Sequence, residues 1–197
     1  MVKFAIYLRK IKAVFRYLYY GKRGNQLELS LSKKYMDKKP ISVPTGFLLR
    51  NYDHNDINSI INIFKLSLFQ GWNEEKINKV IKTYVENGLF VVIHKASNTV
   101  VATMAARHDS GKGSGKIGCI TWLCTHPKYR GLGLGTVVAS AAVNRLLDLN
   151  YNKIFVNTDD ERLAAIKIFL KLGFEPLIYK SAMRNRWNLI MKSINNE

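Results

Sequence analysis

HPKYRGLGLG, residues 126–135, sets glycines at Gly131, Gly133 and Gly135 behind Arg130. The run before it, IGCITWLCT (117–125), has the apolar, β-branched composition of a strand. The run after it, TVVASAAVNRLLDL (136–149), has the length and spacing of a helix. A glycine-rich joint between a strand and a helix has a specific physical use. Without a Cβ, main-chain N–H groups can close on a ligand. The first turn of the helix adds unpaired donors and the positive end of the helix dipole. Together they make an anion site suited to phosphate. Lys128 and Arg130 add positive charge beside it.

The flanking sequence gives the class of fold. GFLLRNY (46–52) reads as a short strand. A helix is expected over 54–69, capped by Asp53 or Asn55, with Ile57, Ile60, Ile61 and Phe64 on one face. A second helix is expected over 73–87, opened by Asn73 with Glu74 and Glu75 in its first turn. LFVVIHK (89–95) and TVVATMAARH (99–108) are apolar strands joined by a tight turn at Ser97 and Asn98. Residues 109–116 form a glycine-rich turn. KIFVN (153–157) is a further strand, 161–172 a helix closed by Gly173, and 174–180 a last strand. The tail from Met183 fits strand or helix. Strands interspersed with helices in this order give a mixed α/β sheet flanked by helices.

Ahead of this lies a different kind of sequence. In residues 1–20, Phe4, Tyr7, Leu8, Ile11, Val14, Phe15 and Leu18 keep helical spacing on one side, with Lys3, Arg9, Lys10, Lys12 and Arg16 on the other. The charges interrupt the apolar run that a signal peptide requires. A basic amphipathic helix suits a membrane surface or a protein partner, and equally suits packing on the domain's own core. Residues 21–45 mix glycine, lysine, serine and proline without a clear period and read as a connector. The expected organisation is a basic extension, 1–45, followed by one domain, 46–197.

At 197 residues the chain can bury a proper core, and 47% hydrophobic with 11% aromatic residues describes a globule. The formal charge is +17, with 12 Lys/Arg against 2 Asp/Glu in the first 50 residues alone. Such an excess attracts nucleic acid, acidic lipid or an anionic cofactor, or simply keeps the chain soluble. Cys119 and Cys124 are five apart and would point to opposite faces of a regular strand, so no disulfide is expected. With no disulfide framework and no zinc spacing, a reducing, cytoplasmic location is expected, without a metal.

Two nucleotide motifs are tested and fail. DSGKGSGKI (109–117) lacks the Ser or Thr that a Walker loop needs after its lysine, and strands flank it on both sides. Gly131-x-Gly133-x-Gly135 is not the dinucleotide fingerprint, and it follows several strands instead of opening a first βαβ unit. Another pyrophosphate carrier fits better. Arg130-Gly131-Leu132-Gly133-Leu134-Gly135 resembles the Arg/Gln-x-x-Gly-x-Gly/Ala signature of the GNAT superfamily of acyl-CoA-dependent N-acetyltransferases. Leu123-Cys124-Thr125-His126-Pro127 resembles that family's Leu-x-Val-x-Pro strand end. Ala165-Ile166 to Gly173-Phe174 resembles its later helix and strand. The resemblance spans about residues 46–180.

The resemblance implies a mainly antiparallel mixed sheet with two central strands, 117–125 and 153–157, splayed apart. It implies acetyl-CoA as cosubstrate, its pyrophosphate cradled by Gly131, Leu132, Gly133, Leu134, Gly135 and Thr136 and assisted by Arg130. Leu123, Cys124 and Thr125 would offer main-chain groups to the pantetheine arm. A neutral primary amine would attack the acetyl carbonyl directly, with the N–H of Leu123 or Cys124 stabilising the oxyanion.

The family's acid and base are not matched. Its helix tyrosine is Phe169 here, its helix asparagine is Arg162, and its occasional strand glutamate is Asn157. Substitutes are Asp159 and Asp160, to hold a cationic amine or pass its proton through water, or simply to cap the next helix. Arg162 could pair with them or bind a carboxylate. Tyr179 could replace the phenol or pack in the sheet. His108 is a further candidate base; His126, in the loop, reads as incidental. Trp122 reads as core before acceptor platform. Arg184, Arg186 and Trp187 would wall the acceptor site and suit an anionic acceptor. Three functions follow: an amine acetyltransferase, a non-catalytic acyl-CoA-binding module, or an acetyltransferase for an RNA-borne amine, whose mark would be salt-dependent binding.

Overall fold

The computed structural model describes residues 26–67, 71–109, 115–179 and 181–196. The seven strands are β1 (Leu27–Leu31), β2 (Phe47–Asn51), β3 (Tyr84–His94), β4 (Thr99–His108), β5 (Ile117–Thr125), β6 (Lys153–Thr158) and β7 (Phe174–Pro176). The helices are α1 (Ile57–Leu66), α2 (Glu74–Ile81), α3 (Leu134–Asp148), α4 (Leu163–Lys171) and α5 (Ser181–Asn195). They form one sheet in the order β2-β3-β4-β5-β6-β1-β7. Every neighbouring pair is antiparallel except β5–β6, which is parallel. This is the mixed, mainly antiparallel sheet flanked by helices that the sequence implies. The proposed helix in residues 1–20 lies outside the described residues, as do 110–114 of the glycine-rich turn.

Two cores sandwich the sheet. On one face α3 and α4 bury Val138, Ala142, Leu146, Ile166 and Phe169 against Met104, Ile120, Ile154 and Val156. On the other, α1 and α2 bury Ile57, Ile60, Ile63, Phe64 and Ile77 against Val91, Ile93, Ala105 and Cys124. The helix starts follow local chemistry. Asp53 accepts from the Asn55 amide at 2.9 Å and opens a 3-10 turn, 54–56, that runs into α1. Asn73 caps α2 by accepting from the Lys76 amide at 3.0 Å. Gly173, at φ +91°, ends α4, and Cβ-bearing residues rarely adopt that conformation.

The main correction concerns the connector. Residues 27–31 of the 21–45 stretch form β1, an interior strand lying between β6 and β7, so the sheet reaches across the boundary placed at 45/46. The reason is the period-two pattern LELSL, which turns Leu27, Leu29 and Leu31 into the core beneath α3 and α4. At about 1.5–3 kcal/mol for each fully buried leucine, this placement contributes substantially to the fold. The helix expected over 73–87 stops at Ile81, because Tyr84 and Val85 enter β3. The one expected over 161–172 is shorter, and α3 begins two residues earlier than expected, at Leu134. The last strand is only three residues, and the tail is helical.

Candidate active site

The site lies where β5 and β6 part. Their parallel pairing runs from Ile117–Lys153 to Ile120–Val156 and ends there. The rest of β5 stays with β4, but out of step. Ala105 faces Thr121 while Thr103 faces Cys124, so Trp122 and Leu123 together oppose Met104. Trp122 takes φ +61°, an unusual conformation for an aromatic residue, costing of order 1–3 kcal/mol. This is a β-bulge. It reverses the expectation for the cysteines: the extra residue brings Cys124 to the same face as Cys119. Both are buried free thiols. Burial pushes the Cys124 thiol up to about 12, against the opposing pull of the Ser67 hydroxyl and then of the Arg162 and Arg130 charges. It is a packed thiol and not a nucleophile.

Past the bulge, the His126 amide donates to the Val101 carbonyl at 2.8 Å and Pro127–Tyr129 form a 3-10 turn. His126 Nδ1 accepts from the Lys128 amide at 3.2 Å, which gives this histidine a local structural task. Gly131 and Gly133 are left-handed, at φ +81° and +77°. Gly133 caps the 15-residue α3 without any side-chain hydrogen bond, and the first turn holds no acidic residue. The first helical bond is Val137 N–H to Gly133 O at 3.1 Å. Among the described residues, the amides of Gly131 to Thr136 donate to no protein acceptor. A Cβ on Gly131 or Gly133 would meet nothing within 4 Å, so both face open space. Gly135 differs: a Cβ there would sit 2.9 Å from Ile168 Cδ1, so its task is close packing of α3 on α4. Arg130 is exposed, its Nε donating to the Thr125 carbonyl at 3.4 Å.

The far side of the gap is charged. Asp159 is paired with Arg162 at 3.1 Å. Asp160 is gripped by buried Arg186, whose Nε reaches both carboxylate oxygens at 2.9 and 2.8 Å. Trp187 beside it is buried in the α3–α4 core. The C-terminal segment therefore places Arg186 in an internal ion pair and Trp187 in packing, and not on the expected basic-aromatic wall; Arg184 is exposed. Phe169 is buried against Phe174, ring centroids 5.9 Å apart. Trp122 packs edge-on to Trp72 at 4.5 Å and tilted to Phe64 at 5.6 Å, closing the α1 side of the gap. His108 lies against Tyr151, rings tilted and centroids 5.9 Å apart, at the other end of the sheet and is not brought to the gap.

Tyr179 is largely exposed, and its hydroxyl donates to Glu28 Oε2 at 2.9 Å. Burial of the hydroxyl pushes its titration above the ordinary phenol value. Glu28 stands on β1, a strand that sequence reasoning missed. The signal was its alternation with Leu27 and Leu29, which identifies a strand with one polar face. Two open clefts, of about 350 and 380 Å³, lie away from the gap, the first lined by Tyr84, His108, Lys116 and Tyr151 and the second by Leu49, Phe90, Asn144 and Arg145. Among the described residues no cluster of three or more His, Cys, Asp or Glu is arranged to hold a metal ion. No described helix is long and apolar enough to cross a membrane.

A parting pair of parallel strands with a bare, donor-rich helix start at its head is chemically suited to an anionic group beside a cleft. Residues 57–174 match the model of the acetyltransferase (GNAT) family, and the chain belongs to that family of acyl-CoA N-acyltransferases. Its fold is similar to a GCN5-related N-acetyltransferase from Sphaerobacter thermophilus (TM-score 0.62, 13% identity, 84% of this chain and 53% of that one). It is similar also to glucosamine-6-phosphate N-acetyltransferase from Arabidopsis thaliana (0.54, 16%, 68% and 95%). A third similar structure is the ribosomal-protein-S18-alanine N-acetyltransferase from Escherichia coli (0.55, 14%, 67% and 79%). The chain spans about half the length of several of the longer structures it matches.

Proposed function

We propose that the protein transfers the acetyl group of acetyl-CoA to a primary amine by direct attack. The observation that carries this reading is the row of amides from Gly131 to Thr136, with no acceptor of their own among the described residues, at the head of the β5–β6 gap. In this reading those amides hold the diphosphate, with Arg130 adding charge. Leu123, Cys124 and Thr125 offer main-chain groups to the pantetheine arm, and the thioester lies in the gap. The bulge takes Leu123 out of the β4 ladder, which suits its N–H to the oxyanion of the tetrahedral intermediate. Asp159, Asp160 and Tyr179 stand at the open end, where the amine enters. The aspartates offset Arg162 and Arg186, and Tyr179 carries a donating hydroxyl. Two buried free thiols suit a reducing compartment.

The acceptor is an amine whose class is set by side chains around the gap and not by the fold. An amino-sugar phosphate enzyme and a protein-alanine enzyme share the same sheet. The experiment is release of thiol from acetyl-CoA across polyamine, amino-sugar and peptide acceptors, with coenzyme A binding measured in parallel. Binding together with amine-dependent thiol release supports transfer. Binding without release from any amine supports the acyl-CoA-binding module instead. A salt-dependent requirement for RNA points to an RNA-borne amine. Residues 1–20 are assigned to a membrane surface or a partner by their charge pattern alone, and flotation with liposomes, with and without them, separates the two.

A further inference from the structure

The bulge on β5 decides which way Trp122 points. Thr121 lies opposite Ala105 in the β4–β5 register. Directly opposed residues of an antiparallel pair project to the same side of the sheet. Ala105 belongs to the core under α1 and α2, so Thr121 projects to that side. Strict alternation would then turn residue 122 to the α3 side and residue 123 to the α1 side. The opposite is found. The Trp122 ring packs on Phe64 and Trp72, with centroids 5.6 and 4.5 Å away. Leu123 packs against the core under α3, and a Cβ on Gly135 would lie 3.8 Å from its Cδ1. The exchange leaves Trp122 with a left-handed backbone, φ +61°. Bulges re-aim side chains in this way, and such strain persists where the surrounding structure gives it a use.

The place is beside the gap. The last rung shared by β5 and β6 is Ile120–Val156, and Trp122 stands two residues beyond it. On the α3 side of this stretch are Leu123, Thr125 and the glycine turn, with Thr125 Oγ1 3.4 Å from where a Gly135 Cβ would sit. On the α1 side are the two indoles, backed by buried Phe64, whose ring is 5.2 Å from that of Trp72. Trp72 and Trp122 are half-buried, so part of each remains open to solvent. Tyr52, Ile61, Ile81 and Tyr84 extend the same apolar margin. Of the charges that flank the rings along the chain, Lys65 and Lys76 balance Glu74 and Glu75, and the Lys76 ammonium already donates to the Gly71 carbonyl. That margin offers an anion no net attraction. A carrier whose diphosphate is held at the glycine turn lies on the α3 side, which leaves the aromatic side to the acceptor.

Resting on the acetyl-transfer reading above, we infer that Trp72 and Trp122 are specificity-determining residues that hold the body of the acceptor, and that the acceptor is an amine borne on a bulky apolar body and not a sugar phosphate. An aryl or branched alkyl body laid on the indoles removes apolar surface from water on both partners, and offset or edge-to-face ring packing adds to the gain. A hydroxylated sugar placed there would give up its hydrogen bonds to water without replacement.

The test follows thiol release from acetyl-CoA with 2-phenylethylamine, ethylamine and glucosamine 6-phosphate in wild type, Trp72→Ala and Trp122→Phe. The readout is the ratio of kcat/KM for 2-phenylethylamine to that for ethylamine, because general damage to the fold lowers both and leaves the ratio in place. The expected wild-type ratio is about 100 or more, with glucosamine 6-phosphate the poorest of the three. Trp72→Ala is expected to lower the ratio about tenfold or more, and Trp122→Phe to lower it less, both with coenzyme A affinity retained. A wild-type ratio near one, or an unchanged ratio in Trp72→Ala, overturns the assignment. A loss of coenzyme A affinity in Trp72→Ala that matches its loss of turnover also overturns it, since the rings would then shape the β5 edge and not the acceptor's place. Should Trp72→Ala fail to fold by circular dichroism, Trp72→Leu replaces it, and the same fall in ratio is required. Wild type that uses glucosamine 6-phosphate better than 2-phenylethylamine overturns the apolar class and leaves acetyl transfer standing. Wild type that binds coenzyme A yet releases no thiol with any of the three amines contradicts the acetyl-transfer reading itself, and the role of the two tryptophans falls with it.

Discussion

Asp160 and Arg186 meet in a two-point fork. Nε lies 2.9 and 2.8 Å from the two carboxylate oxygens, and Nη2 lies 2.5 Å from Oδ1. The pair joins the segment that opens α4 to the C-terminal helix α5, next to Trp187 in the core. Arg186 is almost fully buried, so the arrangement is a strut, and the interaction is screened far less than a surface pair.

Removing one partner leaves the other charge poorly solvated. Arg186→Leu is expected to destabilise the fold by about 3 kcal/mol, the lower end of the range for a broken buried pair because Asp160 keeps some contact with water. Urea unfolding measures it. A loss below about 1 kcal/mol would place the fork among ordinary surface pairs.

Strand β1 belongs to the domain and not to a detachable extension. Leu29→Ala, at a position with no exposure, is expected to cost about 2–5 kcal/mol and to lower the unfolding midpoint without changing the urea dependence of the free energy. A near-neutral result in the full-length protein would return residues 27–31 to a connector role.

The glycines of the loop divide by task. Gly135→Ala puts a methyl 2.9 Å from Cδ1 at the end of the Ile168 side chain, which can turn aside, so its cost in stability is small. That methyl points toward Ile168, Thr125 and Leu123 and not into open space. Gly131→Ala meets no neighbour and carries only the left-handed backbone penalty, about 1–2 kcal/mol, while its methyl enters the open space where the proposed diphosphate would sit. Coenzyme A affinity should fall more in Gly131→Ala than in Gly135→Ala; calorimetry on the two variants reads the order, and the reverse order contradicts the division.

Cys124 has a pH signature. Its thiol titrates at about 12 in the folded chain against 9.0 for the free group. The folded value is the higher, so the contribution to stability is complete below pH 9 and is lost as pH rises from there toward 12. The slope does not exceed about 1.4 kcal/mol per pH unit. In the folded protein at pH 8, a disulfide reagent should label neither cysteine rapidly, while unfolding in urea exposes both. Rapid labelling of Cys124 without unfolding would show that the end of β5 opens.

The glycine turn and the helix after it were legible because their signals are local. The bare turn and the helix that follows are written within a dozen residues, and Gly131 and Gly133 adopt the positive φ that only glycine takes freely. β1 was not legible as part of the sheet. LELSL is a short pattern inside a lysine-, glycine- and proline-rich stretch, and its partners β6 and β7 lie near the other end of the chain. The bulge at Trp122 was hidden for the same reason: it is a mismatch of register with β4, and one strand alone cannot display it. The end of α2 was misplaced because Lys82 to Asn87 fit a helical face and a β-rich run equally, and pairing of β3 with β4 decides between them.

The central claim is that main-chain amides from Gly131 to Thr136 bind the diphosphate of the acyl carrier. Titration of the ¹⁵N-labelled protein with coenzyme A, read by amide chemical shifts, tests it most directly, with Gly133→Trp as the blocked control. The account predicts that those six amides show the largest saturable shifts in the wild type, and that the control, still folded, loses the binding. Shifts that saturate elsewhere while 131–136 stay still, or a Gly133→Trp variant that binds as tightly as wild type, would contradict it.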